Sequence, residues 1–321
     1  MAGRKGRSLT SQSEIGADTS SAAPDTRAGF VALIGAPNAG KSTLMNQLVG
    51  AKVSIVTHKV QTTRAIIRGI ATRDASQIIF VDTPGIFRPR RRLDEAMVTT
   101  AWGGARDADL VLYLVDASRG LSEDVREILG SLDSIPHRKA LVINKIDAVR
   151  RDSLLEMAAG ANELAKFEQT FMISALNGDG CDTLSGWLAS NLPLSPWLYP
   201  DDEISDLPMR QLAAEITREK LFLRLHEELP YASHVETEAW TENPDGSVKI
   251  EQVIFVERDS QKKIVIGKSG ATIKAISMAS RKEIAEVLEQ KVHLFLFVKV
   301  RENWGDDPAR YREMGLEFPR R

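Results

Sequence analysis

Gly35-Ala-Pro-Asn-Ala-Gly-Lys41-Ser42 constrains this chain more than any other feature. It matches G-x-x-x-x-G-K-[ST] without departure, follows an apolar run at 30–35 and opens a helical pattern at 42–48. A strand–loop–helix unit is what that order demands. Glycines let backbone N–H groups approach phosphates, and the helix start adds partial positive charge. Gly35, Ala36, Pro37, Asn38, Ala39, Gly40, Lys41, Ser42 and Thr43 are therefore expected to cradle a nucleotide. Lys41 would reach the β- and γ-phosphates, with Ser42 on magnesium.

Short apolar, β-branched runs at 30–35, 65–71, 77–82, 110–116, 139–144 and 170–174 alternate with helix-length stretches such as 122–132 and 153–167. That alternation predicts an α/β fold, a mostly parallel sheet with helices on both faces. Ligands bind such sheets beyond the carboxyl ends of the strands, and three more motifs stand there. Asp82-Thr83-Pro84-Gly85 offers an Asp to hold magnesium through water and a Gly N–H for the γ-phosphate. Asn144-Lys145-Ile-Asp147 offers a carboxylate that matches guanine's ring N–H and exocyclic amine, a donor pair adenine lacks, so the implied nucleotide is GTP or GDP. Ser174-Ala175 places a backbone N–H for the guanine carbonyl. Between the first two motifs, Gln61-Thr62-Thr63-Arg64 reads as a switch loop in which either Thr62 or Thr63 senses magnesium and the γ-phosphate. Residues 82–92 read as a second switch, whose Arg88-Pro-Arg-Arg-Arg92 run is solvated or faces a partner.

Composition narrows the remainder. With 42 basic against 44 acidic residues the net charge is -2, so any nucleic-acid surface must be a local patch. One cysteine, Cys181, excludes an internal disulfide, and the five histidines have no metal-ligand spacing. No apolar run is long enough to span a bilayer. A Ser- and Ala-rich segment, 1–28, lacks the apolar core of a secretory signal and reads as a disordered tail. The nucleotide domain is expected at 29–194 and a proline-broken, acidic linker at 195–208. A second domain at 209–305 shows the order α-β-β-α-α-β, with its two later helices at 270–278 and 281–290, and 306–321 forms a tail.

In the second domain Gly267-Lys268-Ser269-Gly270 is a G-x-x-G loop, which suits close approach of an RNA backbone to a helix start. Around it, Arg258, Lys262, Lys263, Lys268, Lys274, Arg281 and Lys282 face Asp259 alone, a concentrated cationic patch. Ile264, Ile266, Ile273 and Ile276 are candidates for the groove floor or for core.

Together these motifs resemble the Era group of translation-associated GTPases over about residues 29–304. The second domain resembles the type II KH fold, and 256–270 is similar to the Era KH core. Ala36 and Ala39 stand where relatives often carry Arg and Val. The resemblance implies a GTP-hydrolysing switch that binds the 3′ end of 16S ribosomal RNA and assists assembly of the 30S subunit. It further implies a cytoplasmic monomer with peripheral contact at the inner membrane face. Ile86 stands where Ras-like enzymes carry the water-orienting Gln, as in the hydrophobic-substituted GTPases. Asn38 matches the loop Asn that helps hold potassium beside the phosphates in cation-dependent relatives, where the ion replaces an arginine finger's charge. Lys41, Asn38, Thr62, Thr63 and Gly85 are then the catalytic set. Two other readings compete: a related GTPase of tRNA modification or membrane transport, and a nucleotide-gated RNA-binding module with little turnover.

Overall fold

The computed structural model describes residues 25–59, 62–89, 91–132, 135–226, 229–302 and 307–319. Six apolar runs become strands: β1 (Arg27–Gly35), β2 (Ile67–Arg73), β3 (Ser76–Asp82), β4 (Leu110–Asp116), β5 (Arg138–Asn144) and β6 (Gln169–Met172). They form one sheet in the order β2-β3-β1-β4-β5-β6, parallel except for β2, which pairs antiparallel with β3. The inner strands β3 and β4 are buried along their whole length, because helices cover both faces. On one face α1 (Lys41–Val49) and α5 (Cys181–Asn191) bury Leu44, Met45, Leu184 and Leu188. On the other, α2 (Arg92–Asp107), α3 (Glu123–Ser131) and α4 (Arg151–Leu164) bury Ala101, Leu129 and Ala161 against Val111 and Tyr113. Strand β1 begins inside the segment expected as a tail, and residues 1–24 of that segment lie outside the described residues.

The proline-broken stretch is strapped to the sheet edge. Gln77 accepts from the Leu198 and Tyr199 N–H groups at 2.9 and 3.0 Å, and Ile70 N–H donates to Ile204 O at 2.9 Å. The strap covers the free edge of β2, which would otherwise offer unpaired backbone groups.

Beyond it lie α6 (Met209–Arg224), β7 (Ser233–Glu242), β8 (Val248–Val256), α7 (Asp259–Ile266), α8 (Ala271–Leu288), β9 (Val292–Val300) and α9 (Pro308–Glu313). The sheet order is β7-β8-β9, with β7/β8 antiparallel and β8/β9 parallel. The parallel pair needs a crossover, and α7 and α8 supply it.

Here the structure corrects one expectation. The two helices lie on either side of the G-x-x-G loop, and 270–278 and 281–290 belong to the single helix α8. No Gly or Pro interrupts 271–288, and Ser280, in the gap between the two expected helices, turns its hydroxyl back to the Ile276 carbonyl at 2.9 Å. Helix α7 was hidden by its brevity. It starts where Gln261 Oε1 accepts from the Arg258 N–H at 3.1 Å.

The end of the chain folds back onto the first domain. Tyr311, Met314 and Leu316 are buried against Ala65, Ala96 and Met97 of the first domain.

Candidate nucleotide site and G-x-x-G loop

The loop from β1 to α1 is shaped by backbone that only certain residues tolerate. Gly40 has φ 96°, and a Cβ there would fall 2.2 Å from Asn144 Nδ2. Lys41 is buried and its Nζ donates to the Gly35 and Ala36 carbonyls, both at 3.1 Å. Burial lowers its pKa from 10.5 to about 8, although the negative charge of Asp82 opposes the shift.

Asp82, at the end of β3, gathers hydroxyls. Its Oδ2 accepts from Ser42 Oγ at 2.6 Å, Ser54 Oγ at 2.9 Å and Thr63 Oγ1 at 3.3 Å. Its Oδ1 is buried with no hydrogen-bond partner. Burial raises this carboxyl's pKa, and the hydroxyl bonds and the Lys41 charge hold it back. Thr63 Oγ1 also lies 2.9 Å from Ser42 Oγ, whereas Thr62 Oγ1 turns away to Thr57 Oγ1 at 2.6 Å and the Lys59 carbonyl at 2.8 Å. Of the two threonines, Thr63 is the one brought to Ser42 and Asp82. Gly85 lies against the loop, where a Cβ would sit 2.9 Å from Pro37 Cα. Thr83 and Pro84 are buried, and Thr83 donates to the Leu33 carbonyl at 2.8 Å, so its hydroxyl faces the sheet. Ile86 is buried among Ala32, Ile34 and Tyr113.

Asn144 ties three motifs together. Its Nδ2 donates to Ala39 O at 2.9 Å, while its Oδ1 accepts from Lys145 N–H at 2.8 Å and Ala175 N–H at 3.0 Å. Of the Ser174-Ala175 backbone, one N–H of which is expected at the guanine carbonyl, the Ala175 N–H is thus engaged by Asn144 and the Ser174 N–H donates to the Asp179 carbonyl at 3.0 Å. Ser174 is buried beneath it, and the Asp147 carboxylate is exposed. Lys145 Nζ spans Asn38 O at 2.7 Å and Asp116 Oδ2 at 2.6 Å. Asn38 has φ 65° and donates through Nδ2 to the His58 carbonyl at 2.9 Å.

Sequence reasoning missed Ser54 and Asp116. Asp116 carried a usable signal, since it ends an apolar strand as Asp82 and Asn144 do. Ser54 carried none, because it lies in an irregular stretch.

At the second locus Gly267 has φ 74°, and a Cβ would fall 2.2 Å from Thr272 Oγ1, so only glycine lets the loop close onto α8. Ser269 and Gly270 are also left-handed, at φ 52° and 78°. Arg258, Lys263, Lys268, Lys274, Arg281 and Lys282 are exposed and Lys262 is half-buried. Among the described residues only Lys282 of these seven makes an ion pair, to Glu286 at 3.8 Å. Ile264 is exposed and Ile266 half-buried. Ile273 packs on the domain's core, and Ile276 is completely buried there, which removes it from any groove floor.

Fold and site together define a P-loop GTPase joined to a KH domain. A family profile described as a 50S ribosome-binding GTPase matches residues 30–145, and a KH-domain profile matches 228–305. GTPase Era of Sinorhizobium medicae is 71% identical over 303 residues, 94% of this chain and 98% of that protein. GTPase Era of Brucella suis is 68% identical over 92% of this chain and 96% of its own length. A crystal structure of Era with MgGDPNP and nucleotides 1506-1542 of 16S ribosomal RNA superposes with a TM-score of 0.86 at 36% identity, covering 90% of this chain and 99% of that one. Aquifex aeolicus Era bound to GDP and aluminium fluoride gives 0.85, also at 36% identity, with the same coverage. The chain belongs to the Era family of GTPases.

Proposed function

We propose that this chain couples GTP hydrolysis to capture of the 3′ end of 16S ribosomal RNA by its KH domain, and so assists assembly of the 30S subunit. The observation that carries this reading is the likeness across both domains to an Era that holds MgGDPNP and that RNA segment. The G-x-x-G loop adds exposed cations beside a backbone that only glycine permits.

In the nucleotide site, the residues from Gly35 to Thr43 cradle the phosphates, and Lys41 brings its charge to the β- and γ-phosphates. Asp147 accepts from the guanine edge while Asn144 holds the surrounding loops in register. The orphaned Asp82 Oδ1 beside the Ser42 and Thr63 hydroxyls forms the all-oxygen donor set magnesium prefers. Those three residues would hold the ion, which neutralises charge on the β- and γ-phosphates when bound. Thr63 rather than Thr62 is the sensor, and the Gly85 N–H answers the γ-phosphate. Because Ile86 is packed into the core, orientation of the attacking water falls to other groups.

With its Nδ2 held by the His58 carbonyl, Asn38 offers Oδ1, an oxygen donor of the kind potassium takes, and we assign it to that ion. It would add positive charge beside the phosphates. The reading places the protein in the cytoplasm, working as a monomer on the small subunit. Contact with a membrane would be peripheral, since no helix among the described residues is long and apolar enough to cross one.

Binding of a labelled oligonucleotide from the 16S 3′ end tests the proposal, in GDP and in a non-hydrolysable GTP analogue. Tight binding with the analogue, weakened by GDP and lost in a Gly267→Asp/Gly270→Asp variant, is the expected result. Equal, loop-independent binding in both states would sink the coupling.

A further inference from the structure

Residues 52–59 and 62–64, which carry Ser54 and Thr63, are held between the two domains. From the first domain's side their hydroxyls reach Asp82. From the other side they are gripped by α6 and the turn after it. Glu219 Oε1 accepts from the Val56 N–H at 2.9 Å and from Lys52 Nζ at 2.8 Å. Arg218 Nη2 donates to the Thr62 carbonyl at 2.6 Å. Arg64 donates to the carbonyls of Ser233, Pro230 and Tyr231 at 2.8, 3.2 and 3.1 Å. Thr63 therefore sits between two residues that the second domain holds.

The groups doing the holding are unusual. Arg218 is 1% exposed and Glu219 3% exposed, on a helix whose other buried positions are mostly apolar. Charged side chains are rarely buried so fully unless they are paired. Arg218 is braced by Glu215, at 2.8 Å through Nε, and lies over the Phe222 ring at 5.2 Å. Burial pushes the Glu219 carboxyl up, but hydrogen bonds from Lys220, Lys52 and the Val56 N–H outweigh it and hold the group ionised. Neither residue serves the KH core with its charge. Beyond Glu215 and Lys220 of α6 itself, what their charges meet is the switch segment.

We propose that α6 is a built-in positioning element for hydrolysis: Arg218 and Glu219 hold the switch segment so that the Thr63 hydroxyl stays at Ser42 and Asp82, making the KH domain an activator, in cis, of the GTPase domain. This rests on the reading of Thr63 as the magnesium and γ-phosphate sensor. Arg218 and Glu219 touch neither nucleotide nor metal and act only through the segment. A displacement of about an ångström at a reacting centre costs up to about a hundredfold in rate. Holding Thr63 in advance removes that loss.

The test is single-turnover and steady-state GTP hydrolysis by the full chain, with GDP affinity measured alongside. Arg218→Met fills the same space over Phe222 but cannot donate to Thr62. It is expected to lower kcat about tenfold or more, with KM and GDP affinity within about twofold, and Arg218→Lys to recover part of the loss. In a Thr63→Ala background Arg218→Met is expected to cost nothing further, because both changes remove one effect. Should Arg218→Met fail to fold, Glu219→Ala carries the same test by releasing Val56. Unchanged kcat in the α6 variants, in a chain where Thr63→Ala slows turnover, overturns the positioning proposal alone. Losses that multiply in the double variant, or that fall equally on GDP affinity, also overturn it. Unchanged turnover in Thr63→Ala overturns the sensor reading, and this proposal with it.

Discussion

In the nucleotide site Lys41, Lys145, Asp82 and Asn144 are buried or half-buried and bonded to other protein groups. Around the G-x-x-G loop, Lys263, Lys268, Lys274 and Arg281 stand in solvent. In the proposed function both regions meet phosphates, yet one is a shaped, desolvated cradle and the other an open cationic face. Shape and low dielectric give discrimination among ligands, because a missing partner leaves a buried polar group unpaired. Solvated charge gives long-range attraction that depends on salt.

The largest effect that separates the two belongs to guanine recognition. Asp147→Asn removes the acceptor for guanine's two N–H donors and leaves them facing an amide. A site built for such a pair discriminates by about 10^4, and the expected loss of GTP affinity is of that order. RNA binding by the nucleotide-free chain should change little. Nucleotide and oligonucleotide titrations on the same sample check both halves, and equal losses would erase the contrast between the regions.

A smaller effect follows from the burial of Lys41, whose pKa falls from 10.5 to about 8. In the nucleotide-free protein the cost of holding that buried ammonium is full below pH 8 and is relieved as pH rises toward 10.5, where the unfolded chain still binds the proton. Nucleotide needs the charged form. Above pH 8 the empty site has shed its proton and binding must restore it, so affinity should fall by up to about tenfold per pH unit. Equilibrium binding of a fluorescent GDP across the unit above pH 8 reads this directly. A flat profile would mean that Lys41 stays charged in its cradle.

The same contrast decides what could be read before any coordinates. Lys41, Asp82 and Asn144 were legible because each follows an apolar strand, and period and motif coincide there. The single helix α8 was not, since nothing local tells one long helix from two short ones when Ser280 could serve either as a break or as a back-bonded interior residue. Thr63 could not be told from Thr62, because adjacent residues differ only in which way the backbone turns them. In the sequence nothing sets Arg218 and Glu219 apart from the other charged residues of α6. Their burial depends on a segment more than 150 residues away in sequence, a tertiary fact with no local signature. The return of Tyr311 and Leu316 to the first domain is of the same kind.

The smallest effect sharpens the other half of the comparison. Lys268 is at the tip of the G-x-x-G loop, exposed and without an ion-pair partner among the described residues. Its contribution to RNA binding should therefore be almost wholly counterion release. For single strands the slope of log affinity against log salt is about -0.7 per neutralised phosphate. Lys268→Ala should flatten that slope by about 0.7 and weaken binding of all oligonucleotides alike. GDP affinity, set by groups already paired inside the first domain, should keep its own salt dependence. An unchanged slope with lost affinity would show that Lys268 makes a directed contact in a desolvated groove, and the open face would then resemble the closed cradle more than its exposure suggests.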